Sequence, residues 1–363
     1  MTKKTAYKGR IVPVPSDYLH KTCTIISVLS LLAPVPGISL PVIAAFTCGC
    51  QKEVSIMETE GQENMIAFDM TLDEGYSKED IRQISVFVFN TDSLGRLDTY
   101  QEFSGQEDGR IRAATTGGRK LMVLCANLRI SDEELSGIST AEDLKECSFM
   151  LEDTQREYPL MLGAVETETG AGVSPTVHMT PMTSEIVLRS VTCSFAGTPY
   201  EGELITDPRV YLINVNAQCS LSESSKDIRR LINIGMLNES DIRSFIEPDI
   251  ICQELEHDIG ESASNRSISL LCFHNFCEDE SPGSPFTRMV IEGKIQGSTY
   301  YWPITINRTD GGQGVRNNSR HVFDLKIRQK GSLDPDTELS FEDCLGIMEI
   351  REWNEKEAYT IFF

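Results

Sequence analysis

"MIAFDMTL", residues 65–72, sets Ile66, Phe68, Met70 and Leu72 at alternate positions, with Ala67, Asp69 and Thr71 between them. Successive side chains of an extended backbone point to opposite sides, so this period of two marks a strand buried on one face. The runs "QISVFVFN" (83–90) and "KLMVLCANL" (120–128) are apolar on both faces, as strands covered on two sides are. Between them "NTDSLGRLD" (90–98) supplies a polar turn with a glycine, and the weaker "LDTYQEF" (97–103) follows as an antiparallel neighbour. Residues 131–151 differ: Ser131 with Glu134 makes a capping box, and "TAEDLKECSFML" reads as a short peripheral helix.

A second set of strands opens with "SEIVLRSVTCSF" (184–195), after the loose "TETGAGVSPT" (167–176). It continues through "RVYLINVNA" (209–217), "SISLLCFHNF" (267–276), "TRMVIEGKI" (287–295), "YYWPITIN" (300–307) and "HVFDLKIRQ" (321–329). In the last, His321, Phe323, Leu325 and Ile327 share one face. Residues 222–259 are polar with helical patches such as "SKDIRRLINIGML" and read as a long insertion. Many short strands with few long helices give an all-β protein of two β-sandwich domains, residues 50–184 and 185–363.

Ahead of these lies "CTIISVLSLLAPVPGISLPVIAAF" (23–46), preceded by Lys3, Lys4, Lys8, Arg10 and Lys21. Basic residues followed by an apolar stretch form an export signal. Pro34, Pro36, Gly37 and Pro41 keep the stretch short of the ~20 unbroken apolar residues that a spanning helix needs. Gly49-Cys50 fits the end of a lipoprotein signal over residues 1–49, with Cys50 receiving the lipid. Thr47-Cys48 fits it less well, and a plain secretory cut near Ala44 or Ala45 is the alternative.

Beyond Cys50 the chain holds 28 basic and 54 acidic residues, a net charge near −26. Nucleic acid and anionic lipid surfaces repel such a chain, so no nucleic-acid partner is expected. Eight cysteines remain there, several inside strand patterns where a thiol packs as a small hydrophobe. Few disulfides are expected, Cys272 with Cys277 being the first pair to check.

Chemistry is sparse. Among the four histidines beyond Cys50 there is no H-E-x-x-H arrangement, and an alternating strand through "LCFHNFC" (271–277) turns Cys277 away from Cys272 and His274. "TDGGQG" (309–314) lacks the Lys-Ser/Thr of a phosphate loop, and "DPDTE" (334–338) lacks the other ligands of a calcium loop. No catalytic residue, metal or cofactor is assigned, and an enzyme is not expected.

Several pieces taken in order resemble the fimbrillin family, the lipoprotein-derived subunits of type V pili. They are the leader ending in "CQKE", then "ISVFVFN", a turn and "GRKLMVLCANL", and at the far end "YYWPITINR", "VRNNSRHVFDLKI", "GSLDPD" and "EWNEKEAYTIFF". The resemblance implies two transthyretin-like β-sandwiches and a cell-surface location, lipid-anchored in the outer membrane or within fimbriae. It also implies assembly by strand exchange: proteolysis removes a subunit's first strand, and the C-terminal strand of another subunit fills the groove. Here the first strand would be Ile66, Phe68, Met70 and Leu72, and the donor Tyr359, Ile361 and Phe363.

One departure bears on role. The family's stalk subunits are cut at an arginine between the first two strands, and here that loop, "DEGYSKED" (73–80), holds only Lys78, with Arg82 at the margin of the next strand. A subunit keeping its first strand accepts no donor, which favours a basal anchor. The alternatives are a stalk or tip adhesin subunit cut near Arg82, or a non-polymerising surface lipoprotein binding a glycan or a host or bacterial surface protein, with Tyr300, Tyr301 and Trp302 as its aromatic candidates.

Overall fold

A computed structural model describes residues 64–362 apart from residues 92–93, 105–109, 171–173, 222–230, 263–266, 277–279, 282, 307–313, 338, 340–343 and 353–358, with side chains described as far as residue 339. The proposed leader, Cys50, Cys277, Phe363 and most of "TDGGQG" lie outside the described residues. The chain is mainly β, with three short helices among the described residues. The strands up to residue 181 are β1 (Asn64–Leu72), β2 (Gln83–Asn90), β3 (Leu97–Ser104), β4 (Ile111–Thr115), β5 (Arg119–Ala126), β6 (Ser148–Met150), β7 (Met161–Glu168) and β8 (Thr176–Pro181). All but β6 form one sheet in the order β3-β2-β5-β7-β8-β1-β4, in which β1 runs parallel to β8 and the other pairs are antiparallel.

From Ser184 the strands are β9 (Ser184–Cys193), β10 (Thr206–Ile213), β11 (Val215–Asn216), β12 (Gln218–Ser220), β13 (Leu231–Ile232), β14 (Cys252–Glu254), β15 (Ile268–Cys272), β16 (Asn275–Phe276), β17 (Arg288–Ile295), β18 (Ser298–Thr305), β19 (Gly314–Val315), β20 (Ser319–Ile327), β21 (Cys344–Glu352) and β22 (Tyr359–Phe362). Two larger sheets result, β14-β10-β17-β18 and β15-β9-β20-β21-β22, with β9 and β20 parallel. Two prolines mark where pairing is dispensable. Pro303 sits in β18, an edge strand, and Pro208 lies at the register shift of β10, so neither missing N–H breaks an interior ladder.

The two-sided apolar character of β2 has a direct cause. Ile84, Val86 and Val88 face one buried cluster with Ile66 and Phe68, while Phe87 and Phe89 face a second cluster that also holds Ile186, Leu212, Met289, Trp302 and Phe323. Each face is therefore removed from water by a different partner. Trp302 is fully buried and its indole N–H donates to the Gln329 carbonyl at 3.1 Å, so it belongs to the core rather than to an exposed aromatic patch.

Three local readings change. Helix α1 (Asp132–Gly137) begins with the expected Ser131–Glu134 capping box, but helix α2 (Ala141–Glu146) ends before Ser148–Met150, which pairs as β6 with β12 and buries Phe149. "SKDIRRLINIGML" does not continue as helix: residues 231–232 are extended, and Asn233 and Gly235 have φ of 55° and 69°, which a right-handed helix cannot contain. The run 209–217 breaks at Asn214, also left-handed. Helix α3 (Glu239–Ile242) is the one α-helix described in the insertion. Among the described residues six cysteines are free thiols, Cys272 among them; Cys277, the partner first named for it, lies outside the described residues. Burial pushes Cys125, Cys219 and Cys272 up to about 12, which keeps them as inert thiols.

Two buried polar groups interrupt the apolar strands. Lys120 of β5 is fully buried and its ammonium donates to Asp98 at 2.9 Å, Thr116 Oγ1 at 2.7 Å and Asn90 Oδ1 at 2.5 Å. Burial would raise the Asp98 pKa, but donors from Thr115, Thr116 and Lys120 outweigh it and bring it down to about 2. His321 of β20 is fully buried beside Ser319 (2.9 Å), and burial, then the charge of Arg316, lower it from 6.5 to about 4. The folded state therefore prefers neutral imidazole. Stability should be complete above pH 6.5 and fall by about 3 kcal/mol as pH drops from 6.5 to 4, because the unfolded chain binds the proton first. Urea denaturation at pH 7 and pH 4.5, a window above the Asp98 titration, checks this. His321→Leu should flatten the difference, and an unchanged drop in that variant would refute the assignment.

Candidate functional site

The site begins with β1. Its first half, Asn64–Phe68, pairs antiparallel with β4, and its second half, Asp69–Leu72, pairs parallel with β8. Alternation sends Ile66 (4% exposed) and Phe68 (1%) into the core against Ile81, Val86, Ile111, Met122 and Val177, while Met70 and Leu72 pack at its margin. Burying side chains of this size contributes roughly 1.5–3 kcal/mol each. Without β1, β4 would keep no strand partner, since its other flank faces β3 through side chains alone. There the Gln101 amide mimics a strand, accepting from Ala114 N at 3.2 Å and donating to Ala114 O at 3.4 Å.

The chain leaves β1 through Asp73, which is buried. Its carboxylate lies 2.6 Å from His178 Nε2 on β8 and accepts from Asn318 Nδ2 at 2.8 Å, while His178 Nδ1 lies 3.1 Å from Thr71 Oγ1. Burial, then the nearby Glu185 carboxylate, raise the Tyr76 hydroxyl above its usual range, placing the loop against β9. Ser77 caps the single 3-10 turn Lys78–Asp80 with a reciprocal Ser77–Asp80 box. The loop is thus tied along its length, although five of its eight residues are charged.

Arg82 closes it. Its guanidinium lies 3.7 Å from the Tyr158 ring centre. Its backbone N–H donates to Asn127 Oδ1 at 2.8 Å, the Asn127 amide donates to the Asp80 and Pro159 carbonyls at 2.8 Å, and Asn127 N–H donates to the Gln83 carbonyl at 2.9 Å. One left-handed asparagine (φ 57°) therefore binds the backbone on both sides of the Arg82–Gln83 bond. Composition gave no hint of Asn127; the signal in retrospect is an asparagine directly after a strand, where a positive φ is tolerated. A protease needs that backbone extended and free, so Arg82–Gln83 should resist an arginine-specific protease in the wild type. Asn127→Ala should lose about 1–3 kcal/mol for its unmet partners and become cleavable there, read by mass spectrometry of the fragments.

The remaining predicted residues fall elsewhere. Tyr359–Phe362, the candidate donor, forms β22 at the edge of its own sheet, pairing with β21 alone over Ile350↔Tyr359 to Ile347↔Phe362. The carboxylate of Asp334 accepts from the N–H groups of Asp336 and Thr337 at 2.7 and 3.2 Å, and Asp336 pairs with Arg288 at 2.8 Å, so both serve the turn. Among the described residues no group of three or more acidic, histidine or cysteine side chains could hold a metal.

No protein-family model matches the chain, and no curated protein matches its sequence. Its fold does have solved counterparts. A candidate cell adhesion protein of Bacteroides eggerthii DSM 20697 superposes with a TM-score of 0.60 at 16% identity, over 81% of this chain and 97% of that one. Another of Parabacteroides distasonis ATCC 8503 gives 0.57 at 14%, over 82% and 99%. A fimbrilin of Porphyromonas gingivalis W83 gives 0.55 at 14%, over 80% and 98%. The chain has the fimbrillin-family fold.

Proposed function

We propose that the chain is a structural subunit of a cell-surface fimbrium that keeps β1 and ends the fibre at the membrane as its basal anchor. In this reading a lipid on Cys50 holds it in the outer membrane, and the 50–184 and 185–363 domains are its two sandwiches. Ile66, Phe68, Met70 and Leu72 fill its own groove, while Tyr359, Ile361 and Phe363 enter the groove of the next subunit. The role is structural rather than catalytic.

The observation that carries the reading is the asparagine clamp on Arg82, which opposes release of β1 at the one arginine near the loop. The two terminal strands differ in the direction the reading requires. β1 is held on both sides and has two side chains in the core, whereas β22 is held on one side through four residue pairs. A strand added to a free sheet edge gains main-chain hydrogen bonds and alternate side-chain pockets, so a detachable edge strand is a suitable donor. The fold shared with the fimbrilin supports the class of assembly.

The test is intact and N-terminal mass analysis of the protein from its native cell envelope. An acylated chain beginning at Cys50 supports the anchor. A chain beginning at Gln83 without lipid would move it to a polymerising stalk or tip, and an unlipidated start near Ala45 would remove the membrane attachment.

A further inference from the structure

Three functional groups meet where β2, β3 and β5 lie side by side. Asn90 and Lys120 stand directly opposite each other in the β2–β5 ladder, so their side chains leave the sheet on the same face. Asp98 joins them through a bulge in β3: Leu97 pairs with Phe89 and Thr99 with Val88, which leaves Asp98 as the extra residue, re-aimed out of the ladder. Lys120 Nζ lies 2.5 Å from Asn90 Oδ1 and 2.9 Å from Asp98 Oδ2. With a C=O length of ~1.23 Å, the carboxamide carbon of Asn90 is at most about 3.7 Å from that nitrogen, close to the ~3–3.5 Å of a near-attack arrangement. Thr116 Oγ1 adds a second path between the charged groups, accepting from Lys120 Nζ at 2.7 Å and donating to Asp98 Oδ1 at 2.8 Å. Charge neutrality asks only for the carboxylate. The carboxamide places an electrophilic carbon beside an amine that water does not reach, Lys120 being fully buried.

We infer that Lys120 and Asn90 condense into a side-chain amide bond that staples β2 to β5, with Asp98 carrying the protons. Asp98 takes one proton from the ammonium, directly or through Thr116, and the neutral amine attacks Asn90 Cγ. The second Nζ proton passes to Asn90 Nδ2 as the Cγ–Nδ2 bond breaks, ammonia leaves, and Asp98 returns the first proton to it. One ammonium is consumed and one released, the carboxylate is restored, and no oxidant or cofactor enters. Asn90 is only half-buried, so the ammonia has a way out. The donors that hold Asp98 near pKa 2 make the ion pair the resting state. Proton transfer to it is therefore uphill, and the bond forms slowly from the folded pair, helped by an effective molarity of ~10⁵–10⁸ M for well-oriented groups. The inference does not depend on the assembly reading.

The purified full chain is held at pH 8 and 37 °C, its intact mass is followed with time, and each sample is digested with trypsin. The expected result is conversion to a species lighter by one ammonia. It should yield a branched peptide in which Gln83–Arg96 is joined through Asn90 to Lys120–Arg129, Lys120 no longer being a cleavage site. Asp98→Asn, matched in shape, should lower the yield of that peptide at least tenfold. Absence of the branched peptide from the wild type throughout the incubation overturns the inference. Loss of ammonia with linear peptides alone would mean cyclisation of Asn90 on its own backbone and overturns it too. An undiminished yield in Asp98→Asn would leave the protons without their carrier and overturn the mechanism. Circular dichroism checks that this variant is folded; if it is not, the wild-type digest decides.

Discussion

Lys120→Met should lower the unfolding free energy by about 3–5 kcal/mol, because it strands the buried Asp98 carboxylate without its counter-charge. Lys120 is fully buried and Asp98 8% exposed in its side chain, so water cannot replace the lost ammonium. Thr115 and Thr116 still donate to the carboxylate, which limits the loss to the lower part of that range if the site relaxes. Asp98→Asn in the same background removes the orphaned charge and should recover at least half of the deficit. That recovery separates a buried ion pair from simple loss of packing. Urea denaturation of both variants at pH 7 decides it. A loss under 1 kcal/mol for Lys120→Met, or no recovery in the double variant, would mean that the pair is not the element locking β3, β4 and β5 together.

Phe68→Ala should cost a similar amount, about 3–5 kcal/mol, the usual range for removing a fully buried ring. Its effect should be local as well as global. Among the described residues β4 has β1 as its only strand partner, so amides of Ile111–Thr115 should exchange with solvent markedly faster in the variant, while those of β2 and β5 keep their order of protection. Phe68→Leu keeps most of the volume and should cost less than about 1.5 kcal/mol. Denaturation with hydrogen exchange measures both. Uniform acceleration across the sheet would show that β1 is not a separately releasable element.

Much of the β architecture was legible because it rests on period two. The alternation of Ile66, Phe68, Met70 and Leu72, and that of His321, Phe323, Leu325 and Ile327, is the burial pattern found. What the sequence hid was set by long-range partners. Ser148–Met150 lies in helix-like surroundings, yet β12, some seventy residues later, draws it into a ladder. Lys120 opens what reads as an apolar strand, and nothing local announces Asp98, 22 residues away, as its counter-charge. Asn214 and Asn233 sit inside what read as a strand and a helical patch, because an asparagine gives no local sign of whether it will adopt positive φ.

The candidate site divides in the same way. The faces of β1 follow from alternation, and β22 lies at the edge of its sheet against β21. The clamp on Arg82 was invisible, because its agent, Asn127, comes from the far end of β5, 45 residues on.

The split pairing of β1 also has a mechanical meaning. Tension entering at residue 64 runs along the strand axis between two neighbours, so β4 and β8 must slip past β1 with the ladder bonds on both sides loaded together, a shearing geometry. β22 is loaded differently, for an edge strand paired over four residues can peel from β21 one pair at a time. Under a sustained pull, whose outcome is set by the unfolding rate rather than by equilibrium stability, the chain's two ends should therefore fail at very different forces, the C-terminal strand first.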